Sequence, residues 1–329
     1  MQVGMYCIWQ LIAILTLISC VHASEENETI TYLLNLSHEG LARSNYDGSW
    51  QAVKYADKAL EINDSDWKAW WYKTEAYRQI TRFEDMKLSA DRLIDIAPNS
   101  TIQAVGYYYR AVANSFLGEA SDAASDFSRA LDLFDTVNRT ASEVLRALRF
   151  KCLVYSGWNE WRRGDFDAAI RLADQAVELH AMIEPPAEVL EAHFLKISAL
   201  VSQEKYDDAI RLGESVVFLN GSDGLKSWVY FKTGVAYGGL GRNSDARECF
   251  KKAIELDDDE YEFWVMLSVS YAAENEYWLA LAAIDRAIAL NEYDGNAWLV
   301  KGRILEGIGQ EYQAYECYKK AGELGFKPV

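Results

Sequence analysis

Residues of the same kind recur every 34 positions in the C-terminal third of this chain. Trp264 and Trp298 are 34 residues apart, and the small residues Gly234, Ser268 and Gly302 keep the same interval. Three further sets have this spacing: Ala246, Ala280 and Ala314; Ala253, Ala287 and Ala321; Phe250, Ile284 and Tyr318. Such a period, with small and large residues at fixed phases, predicts a solenoid in which each unit buries its apolar face against its neighbours.

Within each period the apolar residues have helical spacing. Segments 50–62 and 246–256 place apolar side chains at intervals of three and four residues, as in an amphipathic helix. The four prolines lie outside the helical patterns, and no convincing strand pattern occurs. The sequence therefore predicts an all-α protein.

The phased residues resemble the tetratricopeptide repeat, a helix-turn-helix unit of 34 residues. One matching unit contains Trp264, Leu267, Ser268, Tyr271, Ala280, Ile284 and Ala287. An earlier unit contains Trp70, Thr74, Tyr77, Phe83, Ala90 and Pro98, and departs from the family pattern at Met86 and Leu93. The resemblance implies a right-handed α-solenoid of about eight such units over residues 33–326, with a short tail at 327–329.

The repeat pattern also gives the unit boundaries. Counted back along the chain, the units begin near Leu33, Trp67, Ala104, Phe150, Leu190, Ser227, Tyr261 and Gly295. The units within about 104–226 are irregular, and the largest insertion falls between Asp135 and Arg149. We expect the two ends of the array to be more regular than the middle.

The N-terminal segment indicates export. Residues 8–21 are mostly apolar and are followed by Val21-His22-Ala23, a small-x-small pattern typical of signal cleavage after Ala23. We interpret 1–23 as a signal peptide and 24–32 as a short polar linker. Two alternatives remain: an uncleaved membrane anchor, or a bacterial lipoprotein leader modified at Cys20. Each places the repeats outside the cytoplasm, as a secreted or surface-tethered protein whose membrane contact is limited to this segment.

Asn-x-Ser/Thr sequences support export independently. About one would arise by chance at this composition, whereas six are present: Asn27, Asn35, Asn63, Asn99, Asn138 and Asn220. We expect them to be glycosylated. The alternative is that Asn, Ser and Thr gather at these places because they cap helices.

Charge and motifs argue against several classes of function. The formal net charge is −17 without a visible stripe of lysine and arginine, which disfavours nucleic acid. His38, His180 and His193 are far apart and have no metal-ligand spacing. The acidic run 257–260 lacks the alternating ligands and central glycine of a calcium loop. We therefore expect neither an enzyme nor a bound metal or cofactor.

The resemblance finally implies a binding surface. In tetratricopeptide proteins the first helices of the units line a groove that binds a peptide or a partner helix. Carried onto this chain, the groove positions are rich in aromatic residues, which make strong protein contacts. The candidate contact residues are Trp71, Tyr108, Trp158, Phe194, Trp228 and Phe231. We expect a scaffold or adaptor that binds a protein or peptide; the alternative is a cell-surface solenoid that binds a glycan or another polymer.

Overall fold

The computed structural model describes residues 26–136, 143–180 and 189–326, and these contain sixteen α-helices and no strand. The predicted all-α fold is thereby confirmed. In chain order the helices are α1 (26–42), α2 (Tyr46–Ile62), α3 (Trp67–Gln79), α4 (Phe83–Asp95), α5 (Ser100–Phe116), α6 (Ala120–Thr136), α7 (Glu143–Arg163), α8 (Phe166–His180), α9 (Val189–Ser202), α10 (Tyr206–Val216), α11 (Asp223–Gly239), α12 (Asn243–Leu256), α13 (Tyr261–Ala273), α14 (Tyr277–Leu290), α15 (Gly295–Ile308) and α16 (Glu311–Glu323). Consecutive helices form eight pairs.

The turn between the two helices of a pair is the most constant element of the repeat. In each pair one residue of this turn has a positive φ: Ser44, Thr81, Gly118, Gly164, Glu204, Gly241, Asn275 and Gly309. From Thr81 onward their spacing follows the unit starts taken from the sequence. Ser44 precedes Thr81 by 37 residues, so by this phase the first unit begins at Ile30 and not at Leu33.

The first pair also corrects the predicted linker at 24–32. Residues 26–32 belong to α1. Ile30 in this segment is buried together with Leu33 and Leu34 against residues of α2 and α3. Three later first helices also begin earlier than the repeat pattern predicts, two of them in the irregular middle units. Helix α5 begins at Ser100, α7 at Glu143 and α11 at Asp223, each several residues before the start that the repeat pattern gives.

Many first helices begin at a side-chain cap. The carboxylate of Asp66 accepts hydrogen bonds from the backbone N–H groups of Lys68 and Ala69, and Asp294 caps α15 in the same way. Asn45 caps the second helix α2, and Asn99 and Ser222 cap α5 and α11. These caps satisfy backbone donors that a helix cannot satisfy internally.

The periodic tryptophans hold the connections that precede their helices. The indole N–H of Trp264 donates to the carbonyl oxygen of Asp258 at 3.0 Å, and that of Trp298 donates to Glu292 at 2.9 Å. Trp70 makes the same contact with Asp64 at 2.8 Å. In all three cases the acceptor lies six residues before the tryptophan, which gives these residues a structural role.

The periodic small residues allow the helices of a pair to approach closely. A Cβ atom on Gly234 would lie 2.7 Å from the ring of Phe250, and one on Gly302 would lie 2.3 Å from the ring of Tyr318. The small and the large sets of the sequence pattern are therefore contact partners within one pair.

The chain divides into two compact units between Asn159 and Glu160, within α7. In the first unit the largest core surrounds Phe127, Met86 and Leu93. In the second unit it surrounds Phe250, Phe263 and Leu190. No helix in residues 26–136, 143–180 or 189–326 has the length and apolarity to cross a membrane. The predicted leader at 1–23 and the tail at 327–329 lie outside the described residues.

Candidate functional site

The candidate contact residues lie on the first helices of the pairs. We call the surface that these helices present the first-helix face and describe it separately in each compact unit. In the first unit it is carried by α3 and α5. The rings of Trp67 and Trp71 stack with their centroids 6.0 Å apart. The indole N–H of Trp71 donates to the Tyr109 hydroxyl at 3.3 Å, and this hydroxyl donates to Glu75 at 2.9 Å.

The cation on this face is fully paired. Arg78 donates two hydrogen bonds to the carboxylate of Glu75, through Nε at 2.8 Å and Nη2 at 2.6 Å. These bonds to Glu75 raise the pKa of the Arg78 guanidinium, while burial raises the pKa of Tyr109 well above its ordinary value. The arrangement is a closed network in which each charged group has a partner.

Burial separates the candidate contact residues of the first unit. Tyr108 is only 2% exposed and packs against Tyr155, with ring centroids 6.2 Å apart. Trp71 and Trp158 are half-buried, on α3 and α7. Tyr108 is therefore a core residue, and we remove it from the contact set.

In the second unit four aromatic rings form a continuous cluster. Trp228 lies 6.5 Å from Phe194, 5.3 Å from Phe231 and 5.0 Å from Phe263, measured between ring centroids. Phe263 is fully buried and Phe231 is 7% exposed, whereas Trp228 and Phe194 are half-buried. Phe231 and Phe263 thus form the floor of the cluster, and Trp228 and Phe194 form its surface.

Lys232 lies beside this cluster, and sequence analysis did not identify it. Its ammonium lies 5.6 Å from the centroid of the Phe231 ring. Among the described residues it has no hydrogen bond or ion pair. Burial lowers the pKa of Lys232, and the negative charge of Glu262 partly offsets this effect. The first-helix face of the second unit thus carries a half-buried cation that has no hydrogen bond or ion pair to any described residue.

In residues 26–136, 143–180 and 189–326 no cluster of three or more His, Cys, Asp or Glu side chains could hold a metal. Burial lowers the pKa of His193, and its Nδ1 atom is buried without a partner. In the acidic run 257–260, burial and the neighbouring acids raise the pKa of Glu260.

The asparagines of the Asn-x-Ser/Thr sequences are exposed where they are described. Asn63, Asn99 and Asn220 lie at connections between pairs, and Asn27 and Asn35 lie on α1. The Oδ1 atom of Asn99 accepts from the N–H of Ile102 at 3.0 Å, and that of Asn63 accepts from Ser65 at 3.1 Å. Capping thus uses the side-chain oxygen and leaves the nitrogen, the atom that carries an N-glycan. Asn138 lies outside the described residues.

The repeats have counterparts in known proteins. A family model for the tetratricopeptide repeat matches residues 156–223 and 231–295. These two ranges carry tetratricopeptide repeats. The structure is similar to that of a tetratricopeptide repeat protein from Parabacteroides merdae, with a TM-score of 0.58 and 13% identity over 84% of this chain and 99% of that one. For the C-terminal part of a TPR repeat-containing protein from Cytophaga hutchinsonii the TM-score is 0.54, with 17% identity over 77% and 95% of the chains. These similarities confirm the predicted α-solenoid fold.

A similarity in sequence extends over most of the chain. Superkiller complex protein 3 from Homo sapiens is 23% identical over 300 residues, which are 89% of this chain and 16% of that protein. The chain thus spans less than a fifth of the length of this relative.

Proposed function

We propose that this protein is a non-enzymatic scaffold that binds an acidic segment of a partner protein on the first-helix face of its second unit. The observation that carries this proposal is Lys232, a half-buried cation without an ion-pair partner, beside an aromatic surface. An incoming carboxylate would supply the missing charge. Pairing of a partly desolvated cation is stronger than pairing of an exposed one.

The neighbouring rings supply the apolar part of the contact. Trp228 and Phe194 are half-buried over a floor of buried rings, so a partner side chain would meet a rigid surface. Aromatic residues in such surroundings are frequent binding hot spots. The expected ligand is a peptide segment that carries Asp or Glu next to an aromatic or aliphatic residue. The human relative is named as a protein of a complex, which agrees with a role in assembly.

A displayed library of random peptides tests this proposal without a known partner. We expect selection on the wild-type protein to enrich acidic peptides with an apolar neighbour, and Lys232→Glu to abolish the acidic preference. Lys252→Glu is the matched control, because Lys252 also lies over an aromatic ring, Tyr230 at 5.5 Å, but on the second helix α12. Enrichment that is unchanged by Lys232→Glu would refute the site. Binding to a glycan array without peptide enrichment would favour the alternative of a glycan-binding surface.

We further propose that the protein works outside the cytoplasm. The leader-like segment at 1–23 and the six sequons support this location. The exposed sequons support it further, because Asn63 and Asn99 can cap their turns and carry a glycan at the same time.

Mass spectrometry of the protein from its native source tests this location. We expect an N-terminus at Ser24 and a mass that falls to that of the polypeptide after treatment with peptide-N-glycosidase. A mass equal to that of the polypeptide before treatment would rule out N-glycosylation. An N-terminus at Met1, or at a lipidated Cys20, would show instead that the leader is retained or modified.

A further inference from the structure

Helix α14 presents an unusually apolar outer surface. Its exposed stripe consists of Trp278, Ala282, Asp285, Arg286 and Ala289, at the spacing of one helix face, and Leu279, 50% exposed, lies at the edge of this stripe. Trp278 is 66% exposed, and Tyr293, in the turn that follows the helix, is 75% exposed. The buried face of the same helix is formed by Ala280, Ala283, Ile284 and Ala287. We call the exposed set, with Tyr293, the α14 stripe.

The neighbouring second helices are charged at the same phase. Positions 34 residues before Ala282 and Ala289 are Glu248 and Glu255, and positions 34 residues after them are Glu316 and Glu323. At the phase of Asp285 and Arg286 both neighbours have two lysines: Lys251 and Lys252 on α12, Lys319 and Lys320 on α16. The α14 stripe thus has alanine at the two positions where α12 and α16 have glutamate. It has an acid and a base, Asp285 and Arg286, where each neighbouring helix has two lysines.

The α14 stripe is complementary to itself. If two copies of α14 lie antiparallel, with the twofold axis between Asp285 and Arg286, then the five residues of the stripe and Tyr293 meet in three kinds of pair. Ala282 faces Ala289 of the other copy, two small residues that allow close approach. Trp278 faces Tyr293, and Asp285 faces Arg286. An isologous interface requires this reciprocity, in which residue i contacts j and j contacts i.

The charges at the centre of the stripe can take part in such a contact. Arg286 has no ion pair or hydrogen bond from its side chain within the described residues. Asp285 accepts from Lys301 at 2.7 Å, yet its side chain is 51% exposed. A carboxylate has room for about four hydrogen bonds, so Asp285 can also accept from a guanidinium.

We propose that a second copy of this chain docks antiparallel on the α14 stripe to form a twofold dimer. No N-glycan attached to α14 or its neighbouring helices would block this contact, because no Asn-x-Ser/Thr sequence occurs after Asn220. An interface formed only by α14 and its copy is smaller than a standard protein interface. The dimer is therefore weak, with a dissociation constant in the micromolar range.

Charge reversal tests the dimer through its symmetry, with sedimentation velocity over a concentration series of the purified chain as the measurement. In Arg286→Asp two acids face each other twice, and in Asp285→Arg two bases do. We expect each variant alone to be monomeric. An equimolar mixture restores both opposite-charge pairs, so we expect it to dimerise like the wild type. Lys301→Ala is the control, because it removes the internal partner of Asp285 without changing the stripe.

A second variant keeps the test independent of the charge pair. Ala282→Glu with Ala289→Glu gives α14 the glutamates of its neighbours at solvent-exposed positions, so we expect normal helicity and a monomer. A wild type that stays monomeric at the highest concentration would overturn the proposal. So would a mixture that fails to dimerise, or a dimer that persists in the double-glutamate variant.

Discussion

The first-helix faces of both units carry aromatic rings and a cation. The cation is paired with a carboxylate in the first unit and has no ion pair among the described residues of the second. In the first unit Arg78 donates to the carboxylate of Glu75. The same carboxylate accepts from the Tyr109 hydroxyl, which in turn accepts from the indole N–H of Trp71. In the second unit the Lys232 ammonium lies 5.6 Å from the centroid of the Phe231 ring and has no ion pair with a residue that the structure describes, although the charge of Glu262 acts on it. The same combination of cation and aromatic ring therefore serves internal structure in one unit and remains available for a ligand in the other. Pairing, and not aromatic content, distinguishes the two faces.

The largest expected effect is on binding in the second unit. Trp228→Ala removes the ring that joins Phe194 to the floor of the cluster, and we expect affinity for selected acidic peptides to fall about 30-fold, a typical hot-spot loss. Fluorescence titration measures this change. Phe218→Ala, which truncates an 84% exposed ring in the same unit, is the control and should leave affinity unchanged. Loss of helicity in Trp228→Ala would instead assign this ring to the core.

In the first unit the corresponding change acts on stability. Glu75→Ala leaves Arg78 without its carboxylate and the buried Tyr109 hydroxyl without its acceptor, so we expect a loss of about 2 kcal/mol in the free energy of unfolding. Urea denaturation measures it. The exposed pair of Glu248 with Lys251 supplies the control, because Glu248→Ala should cost less than about 0.5 kcal/mol. Equal effects of the two variants would show that the network around Glu75 contributes no more to stability than an exposed ion pair.

A smaller effect is expected when the cation of the second unit is neutralised. Burial holds the pKa of Lys232 below its ordinary value of 10.5, so the charged amine destabilises the folded state at neutral pH. Lys232→Met keeps the aliphatic stem, and we expect it to raise the free energy of unfolding by about 0.5 kcal/mol at pH 7.

The stability difference between Lys232→Met and the wild type should depend on pH. Between the lowered folded pKa and 10.5 the unfolded state binds more protons, so wild-type stability rises with pH in that window. The advantage of Lys232→Met should therefore shrink as the pH rises through the folded pKa, as measured by denaturation at several pH values. A constant difference would show that desolvation of the charge is not its cause.

An effect of similar small size concerns the turns, where the two units should behave alike. Thr81 in the first unit and Glu204 in the second have φ values of 56° and 59°, a region that favours glycine. We expect Thr81→Gly and Glu204→Gly each to raise thermal stability by about 0.5 kcal/mol, since relief of strain exceeds the added freedom of the unfolded chain. Gly118→Ala, with φ of 84°, should act in the opposite direction. Destabilisation by both glycine variants would contradict the shared turn geometry.

The repeat pattern was sufficient to predict the fold but not the contact surface. The phased tryptophans, glycines and alanines predicted eight helix pairs, because their spacing reflects contacts within and between adjacent pairs. Tyr108 and Phe231 occupy groove positions in the family pattern, yet both are buried, because burial also depends on rings from neighbouring helices such as Tyr155 and Phe263. Lys232 follows a groove position and had no distinctive motif. Its importance comes from its burial and from the lack of an ion-pair partner in the described parts of the chain, which depend on other helices and which a single sequence does not give.

The indole contacts of Trp264 and Trp298 also bear on how such an array can lengthen. Each tryptophan holds the connection before its own pair, so the segment Tyr261–Asp294 contains one complete pair with its indole donor, Trp264, and the carbonyl acceptor of Glu292 for the next indole. A tandem copy of this segment would form the same indole-to-carbonyl contacts at both of its ends, because the preceding and the following pairs share its 34-residue period. Gene duplication in this region therefore adds a pair without creating a new type of junction.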